Sequence, residues 1–473
     1  MTEPTSANNA IDSHSSKATN STDAISLLMG RINYERTTHI PYGERAFKLD
    51  RMRDLARRLG NPQAAYPIIH IAGSKGKGST STMIASILTS AGYRTGLFTS
   101  PHLQRINERI VVDGDEVPSP ELDRLVQVVF PVLEQMDAAA EAANRSYDKP
   151  TFFEIITALA LVHFRDKKVD AAVLEVGLGG RLDSTNICSP IVTAITSIGL
   201  DHTRQLGDTH AKIAGEKAGI IKPMVPIVST VAHPDALQVI RERANDEDSP
   251  LWSSECDFDF SYDSRGESKS IDFRLKSTDP DVTSVSYDRL QIAMLGQHQA
   301  RNAACAVMTT ELLKTRGFEI TEAQLRAGLA SAVCRGRIQV VRNNPVVILD
   351  TAHNASSINA LVSTLEEEYD LPRESRIVVL AATRGKDVSA ILERLMQWAG
   401  HLVITKYREN PRGMATDKLT ELAEQFEGTH RPEIHVEDCP STAWQKAKLL
   451  ADKDSLICIT GSFFLAAEVE PLL

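Results

Sequence analysis

The stretch IIHIAGSKGKGST, from Ile68 to Thr80, decides how this chain is read. An apolar run ends at Gly73, a turn rich in glycine and lysine follows, and TSTMIASILTSAG then carries helical spacing to Gly92. A strand, a glycine turn and a helix N-terminus suffice to hold phosphate. The first helical N–H groups lack internal partners, and the helix dipole favours an anion there. The usual phosphate loop places Ser or Thr directly after Gly-Lys. Here Gly78 occupies that place, and Ser79 brings the hydroxyl one residue late. Taken alone, the stretch is either a phosphate site, with Lys77 as its point charge, or a glycine-rich strand-to-helix turn.

Outward from this loop the chain alternates. YPIIHIAG, RTGLFTSPHL, VDAAVLEVG and PIVTAITSIG read as strands, and TFFEIITALALVHFRD as a largely apolar helix. RAFKLDRMRDLARRL, Arg45 to Leu59, has helical spacing with many basic residues. Such alternation predicts a parallel sheet covered by helices, with functional groups at the carboxyl ends of strands. DFDFSYD, SIDFRLK and TSVSYDRLQI switch to two-residue alternation and predict a small antiparallel excursion. GQHQARNAACAVMTTELL restores a helix, and a boundary falls near Ala332 to Gly336. Beyond it PVVILD, RIVVLAAT, HLVIT, EIHVE and SLICITGS predict a second, smaller α/β unit.

Composition narrows the function classes. The chain has 473 residues, 42% of them hydrophobic, ample for sizeable cores, and a net charge of -10. Such a balance argues against a general nucleic-acid binder, because phosphate backbones select basic surfaces. The six cysteines are scattered without a Cys-x-x-Cys pair, so neither a zinc site nor a disulfide framework is expected, and a reducing cytoplasm is the simplest location. No apolar run is long enough to span a membrane. MTEPTSANNAIDSHSSKATNSTD, residues 1–23, is rich in Ser, Thr and Asn and is expected to be a disordered tail. No strong apolar stripe stands outside the expected core, so a monomer is expected.

Two further stretches place ionisable groups at the same sheet edge as the loop. Glu175 ends a strand directly after AAVL, where a carboxylate is a metal ligand or a costly buried charge. Asp201 and His202 follow the next strand in TSIGLDHTRQLG. Imidazole is an unusual partner for magnesium, which prefers oxygen.

GSKGKGS, TSPHL, LEVGLGGRLDSTN, SIGLDHTRQLG, IAGEKAGIIKP and DTAHN, occurring in this order, resemble the motifs of folylpolyglutamate synthase and dihydrofolate synthase, which belong with the Mur ligases. The resemblance runs from about Ile40 to the C-terminus, and the Gly-Lys-Gly-Ser loop is that family's own form of the phosphate site. It implies an α/β fold: an N-terminal P-loop ATPase-like domain, residues 24–333, with a mostly parallel sheet and an antiparallel excursion, and a smaller Rossmann-like domain, residues 334–473. Three positions depart from the common pattern: Lys75 where many bacterial members carry Asn, Arg335 where Pro often stands, and Gly385 where Asp is common.

The resemblance implies an ATP-dependent ligase that adds L-glutamate to dihydropteroate, to the γ-carboxylate of folate, or to both, through an acyl phosphate. Ser74, Lys75, Gly76, Lys77, Gly78 and Ser79 would hold the ATP phosphates, with Asn302, Arg337 and Asp350 reaching ATP from the far side of a cleft. Ser79, Ser100 and Glu175 would bind one magnesium, and Glu175 and His202 a second. Lys217, otherwise an ordinary helical lysine, would be carbamylated and stand near the metal. Asp350, His353 and Ser462 would lie near the incoming glutamate, although Ser462 also reads as a helix N-cap. Phe47, Thr151, Leu182, Asp183 and Ser184 would receive the pterin, although Asp183 also reads as a turn cap. The competing readings are a Mur-type cell-wall ligase, expected to carry an extra domain before the loop, and a non-catalytic nucleotide-binding regulator, expected to have lost some of Lys77, Glu175, His202 and Lys217.

Overall fold

The structure is a computed structural model and describes residues 28, 30–33, 49–145, 148–254, 256–264, 269–276, 284–428 and 430–473. Phe47 and the tail of residues 1–23 lie outside them. Strand β1 (Ile68–Ala72) forms the middle of the larger sheet. It runs parallel to β5 (Ala171–Glu175) on one side and β6 (Val192–Ile195) on the other. With β2 (Thr95–Phe98), β3 (Ile110–Val112), β4 (Asp115–Glu116), β7 (Ile227–Ser229) and β8 (Leu251–Ser253), the order is β4-β3-β2-β5-β1-β6-β7-β8. β3 pairs antiparallel with both β2 and β4, and the remaining pairs of this sheet are parallel.

All five residues of β1 are buried, as a sheet covered on both faces requires. Successive side chains serve opposite cores. Ile69 and Ile71 pack with the helix Lys77–Ser90 and the helix Gln297–Lys314, through Met83, Ile84 and Ala303. Ile68 packs on the other face with Phe98, Leu125 and Ile155, from the sheet and from the helices Ser119–Ala142 and Phe152–Lys167. Each such side chain contributes about 1.5–3 kcal/mol on burial, so β1 is anchored twice before its loop leaves the sheet.

A three-stranded antiparallel sheet, β9 (Phe258–Asp263), β10 (Ser270–Leu275) and β11 (Ser286–Gln291), sits where two-residue alternation predicts it. Its apolar face, Phe258, Phe273, Tyr287 and Leu290, joins the core around Gln297–Lys314. A six-stranded sheet follows, with β12 (Gln339–Asn343), β13 (Val346–Leu349), β14 (Arg376–Leu380), β15 (His401–Ile404), β16 (Glu433–Val436) and β17 (Leu456–Thr460) in the order β12-β13-β17-β14-β15-β16. Only β12 is antiparallel to its neighbour. The carboxyl ends of β1, β2 and β6 lead toward Lys77, Ser100 and His202, and that of β5 is Glu175 itself. The carboxyl ends of β13 and β17 do the same for Asp350 and Ser462.

Candidate active site

The loop after β1 turns into its helix at Gly76, whose φ of 83° is left-handed and costs a glycine little. The loop is stitched to the one after β6. Ser74 N donates to Ser197 O at 2.7 Å, Lys75 N to Ser197 Oγ at 3.0 Å, and Thr196 Oγ1 to Lys75 O at 2.6 Å. These bonds fix the backbone and leave the N-terminal turn of Lys77–Ser90 to present Lys77, Gly78 and Ser79. Lys77 Nζ lies 4.0 Å from Glu175 Oε1. Burial lowers the Lys77 pKa despite Glu175, and burial raises that of Glu175 despite Lys77.

Glu175 is buried and accepts a hydrogen bond from Ser100 N at 2.9 Å. A Cβ at Gly78 would stand 3.4 Å from Glu175 Oε2, so the loop passes directly over the carboxylate. Lys75 forms an ion pair with Asp201 at 2.7 Å. Burial pushes Asp201 up, but Lys75 and His202 outweigh it and hold the carboxyl below the usual range. His202 stands half-exposed in a left-handed backbone conformation, φ 51°, with Nε2 4.0 Å from Asp201 Oδ1.

Lys217 is not the ordinary exposed lysine its helix suggests. It is 3% exposed, and its Nζ donates to Gly73 O at 2.9 Å. Burial, then the charge of Lys77, lowers its pKa to about 7. A depression of this kind favours the neutral amine, the nucleophilic form that carbon dioxide requires.

The helix Gln297–Lys314 and the second half of the chain both reach the loop. A Cβ at Gly76 would stand 2.2 Å from Asn302 Oδ1, so the Asn302 amide lies against the turn. Arg337 lies over the Phe463 ring at 5.4 Å, and its charge is felt by Lys77, Glu175 and Asp350. Asp350 is buried and accepts from Ile338 N at 2.9 Å and Ala352 N at 2.7 Å, so it also shapes its own loop. His353 donates from Nδ1 to Thr351 O at 2.9 Å, which leaves Nε2 as an acceptor. Burial, then Lys386, lowers this ring to about 4. Ser462 caps the helix Phe463–Val469 by accepting from Phe464 N at 3.1 Å, the structural reading of that residue.

Lys386 is the group the sequence reading missed. Its charge acts on Asp201, His202 and His353 together, placing a cation from the second half against the first. The only signal was its place in ATRGKD, after strand β14.

The acceptor residues divide. Leu182 lines a cleft of about 700 Å³ with Arg51, Arg53, Arg58, Met136 and Arg145. Thr151 and Asp183 are occupied locally. Thr151 caps the helix Phe152–Lys167 and donates to Glu154 Oε2 at 2.9 Å, while Glu154 pairs with Arg51 at 2.7 Å. Asp183 accepts from Thr185 N at 3.0 Å and Leu178 N at 2.9 Å, which makes it the cap of the turn that begins at Ser184.

The donor set fits a divalent cation. Glu175 is a buried carboxylate with one backbone hydrogen bond and a lysine no nearer than 4.0 Å, an arrangement under-compensated without further positive charge. Ser79 is buried in the first turn beside it. Oxygen donors of this kind suit magnesium.

Comparison with known proteins bears on this geometry. The Mur ligase middle domain matches residues 71–310, and the Mur ligase glutamate ligase domain matches residues 336–463. The dihydrofolate synthase/folylpolyglutamate synthase of Bacillus subtilis is 34% identical over 428 residues, covering 90% of this chain and 94% of that one. Among solved structures, Mycobacterium tuberculosis folylpolyglutamate synthase complexed with ADP superposes with a TM-score of 0.83 at 30% identity, covering 96% of this chain and 98% of that one. Escherichia coli FolC in complex with DHPP and ADP gives a TM-score of 0.79 at 29% identity, with coverage of 96% and 98%.

Proposed function

This chain belongs to the Mur ligases, in the folylpolyglutamate synthase and dihydrofolate synthase family, and from that premise we propose that it carries out both reactions for which the family is named. It is an ATP-dependent ligase that joins L-glutamate to a pteroate or folate carboxylate through an acyl phosphate. A carboxylate is a poor electrophile at neutral pH. Phosphorylation by ATP gives it a leaving group, the glutamate amine attacks the acyl carbon, and phosphate departs. The protein's part is to position the reactants and to stabilise charge on the transferring phosphoryl group.

The observation that carries this reading is the juxtaposition of Lys77, Glu175 and Lys217 at a single loop, with Asn302 of the same domain against its turn and the charge of Arg337 reaching it from the second. ATP lies between the residue 24–333 and 334–473 domains, its phosphates on the backbone from Ser74 to Ser79 and on Lys77. Ser79, Ser100, Glu175 and His202 would hold two magnesium ions, which would neutralise phosphate charge when bound. A carbamate on Lys217 would add a negative oxygen there. The carbamate nitrogen keeps one hydrogen, so its bond to Gly73 O survives the modification. His353, with Nε2 able to accept, would face the glutamate amine and orient it by a hydrogen bond. The cleft at Leu182 would take the pterin.

Support for the double activity comes from the Bacillus subtilis relative, named for both reactions. Against it stands Lys75, which resembles members that only extend folate. The test is to incubate the purified protein with ATP, magnesium and labelled glutamate, offering dihydropteroate or tetrahydrofolate separately. Product from both is expected. Product from tetrahydrofolate alone would make this an extension enzyme.

A further inference from the structure

Strands β15 and β16 carry a cluster that the ligase reaction does not use. His401 opens β15, Glu433 opens β16 as its register partner, and His435 lies two residues on, so all three project from one face. His435 Nε2 lies 3.4 Å from His401 Nδ1. Glu433 places Oε2 3.5 Å from His401 Nδ1 and Oε1 3.6 Å from His435 Nε2. The two rings stack at 28° with centroids 5.6 Å apart. We propose that His401, Glu433 and His435 form a second metal site, for a divalent late transition metal of the zinc class.

The argument is geometric. A zinc ion about 2.0–2.1 Å from each donor sets any two donors of a tetrahedron about 3.3–3.4 Å apart. The two imidazole nitrogens stand 3.4 Å apart, and the carboxylate meets them with different oxygens at 3.5 and 3.6 Å, so the exposed Glu433 side chain is the ligand that must turn to offer one oxygen to the ion. Two imidazoles and one carboxylate select zinc, nickel or copper over magnesium, which demands oxygen. The histidine side chains are 20% and 10% exposed while Glu433 is 66% exposed, so the rings are held by the fold and the carboxylate closes from solvent.

Its location separates it from the ligase chemistry. His401 and Glu433 begin their strands, whereas Asp350 and Ser462 follow the ends of β13 and β17, and all these strands are parallel. The cluster therefore sits at the opposite rim of the sheet. β16 is the outermost strand, so a bound ion would tie an edge strand to its neighbour. Metal binding should accordingly add stability by mass action.

The experiment uses the full chain, stripped with a chelator and free of nucleotide, titrated with zinc alone against a chromophoric competitor. Cobalt is substituted for the visible spectrum. The expected result is zinc binding that raises the thermal midpoint, with the intense cobalt bands of a tetrahedral nitrogen-containing site. His435→Ala should weaken that binding by at least about 100-fold, since even partners behind a ligand are worth 10–100-fold. Glu433→Gln, at an exposed position, keeps the test valid should His435→Ala fold poorly. It should lose affinity while keeping its metal-free midpoint. Zinc affinity equal in wild type, Glu433→Gln and His401→Asn, or a weak octahedral cobalt spectrum, would overturn the proposal.

Discussion

Lys217 and Gly73, 144 residues apart in sequence, meet at 2.9 Å, the buried lysine nitrogen donating to the carbonyl that opens the phosphate loop. The bond places the amine under the loop rather than in solvent, and the same burial brings its pKa to about 7. Lys217→Ala is expected to lose about 100- to 1,000-fold in kcat, the range for removing one charged contact from such a transition state. Added acetate or formate should restore part of the loss by supplying the missing oxygen. Steady-state rates with and without the acids measure it. A free ammonium in a high-resolution structure with ATP bound would rule out the carbamate.

Lys77→Ala is expected to abolish turnover while leaving the fold intact, because the side chain faces Glu175 and the space above the helix N-terminus rather than a core. Circular dichroism should match the wild type as glutamate incorporation vanishes. Near-normal incorporation would remove the loop from the mechanism.

Gly76→Ala tests the packing of the turn against the helix Gln297–Lys314. The added Cβ meets Asn302 Oδ1 at 2.2 Å, and φ of 83° strains any other residue by about 1–2 kcal/mol. KM for ATP should rise at least about tenfold, as 1.4 kcal/mol corresponds to one decade. Combining the change with Asn302→Ala should cost less than the sum of the two alone, because they share one contact. Strict additivity would mean that Asn302 does not govern the turn.

His70 supplies a pH dependence. It is fully buried on β1, with Nε2 2.8 Å from Thr185 Oγ1 and Nδ1 3.6 Å from Cys188 Sγ. Thr185 gives its hydroxyl hydrogen to Asp183, so Nε2 carries the proton and Nδ1 accepts. Burial, then Lys222, depresses the ring from the model-compound value 6.5 to about 3. The unfolded chain therefore binds more protons between those values, and stability falls as pH drops through them. From pH 6.5 to 5 this group should cost about 2 kcal/mol. Urea midpoints across that interval should fall less steeply in His70→Asn, and an equal slope would refute the assignment.

Much of the fold was legible because periodicity changes with burial. IIHIA and AAVLE are continuous apolar runs, as strands covered on both faces must be, and DFDFSYD alternates, as a half-covered strand must. The short strands β3, β4, β7 and β8 were not read, since two or three residues carry no period and take their register from neighbours, and β12, mostly exposed and polar, was not read either. At the site, Glu175 was legible because a charge ending an apolar run is costly. Lys386 was not, because its role depends on two halves of the chain meeting. Thr151 and Asp183 show the converse: each has a hydroxyl or carboxylate suited to a ligand, and each spends it on a local cap.

Arg335 stands in the segment between the two halves and gathers three acids at once: Glu108 at 3.2 Å and Glu116 at 3.3 Å from the first half, and Glu470 at 2.7 Å from the C-terminal end. The guanidinium is 36% exposed, so dissolved ions reach it. A proline at this point would stiffen the joint by geometry alone. Here the joint is held by charge, and ionic strength becomes a mechanical variable. Low salt tightens the latch, and high salt loosens it. Arg335→Ala would leave three like charges facing one another across the seam, a compressed spring in place of a clasp.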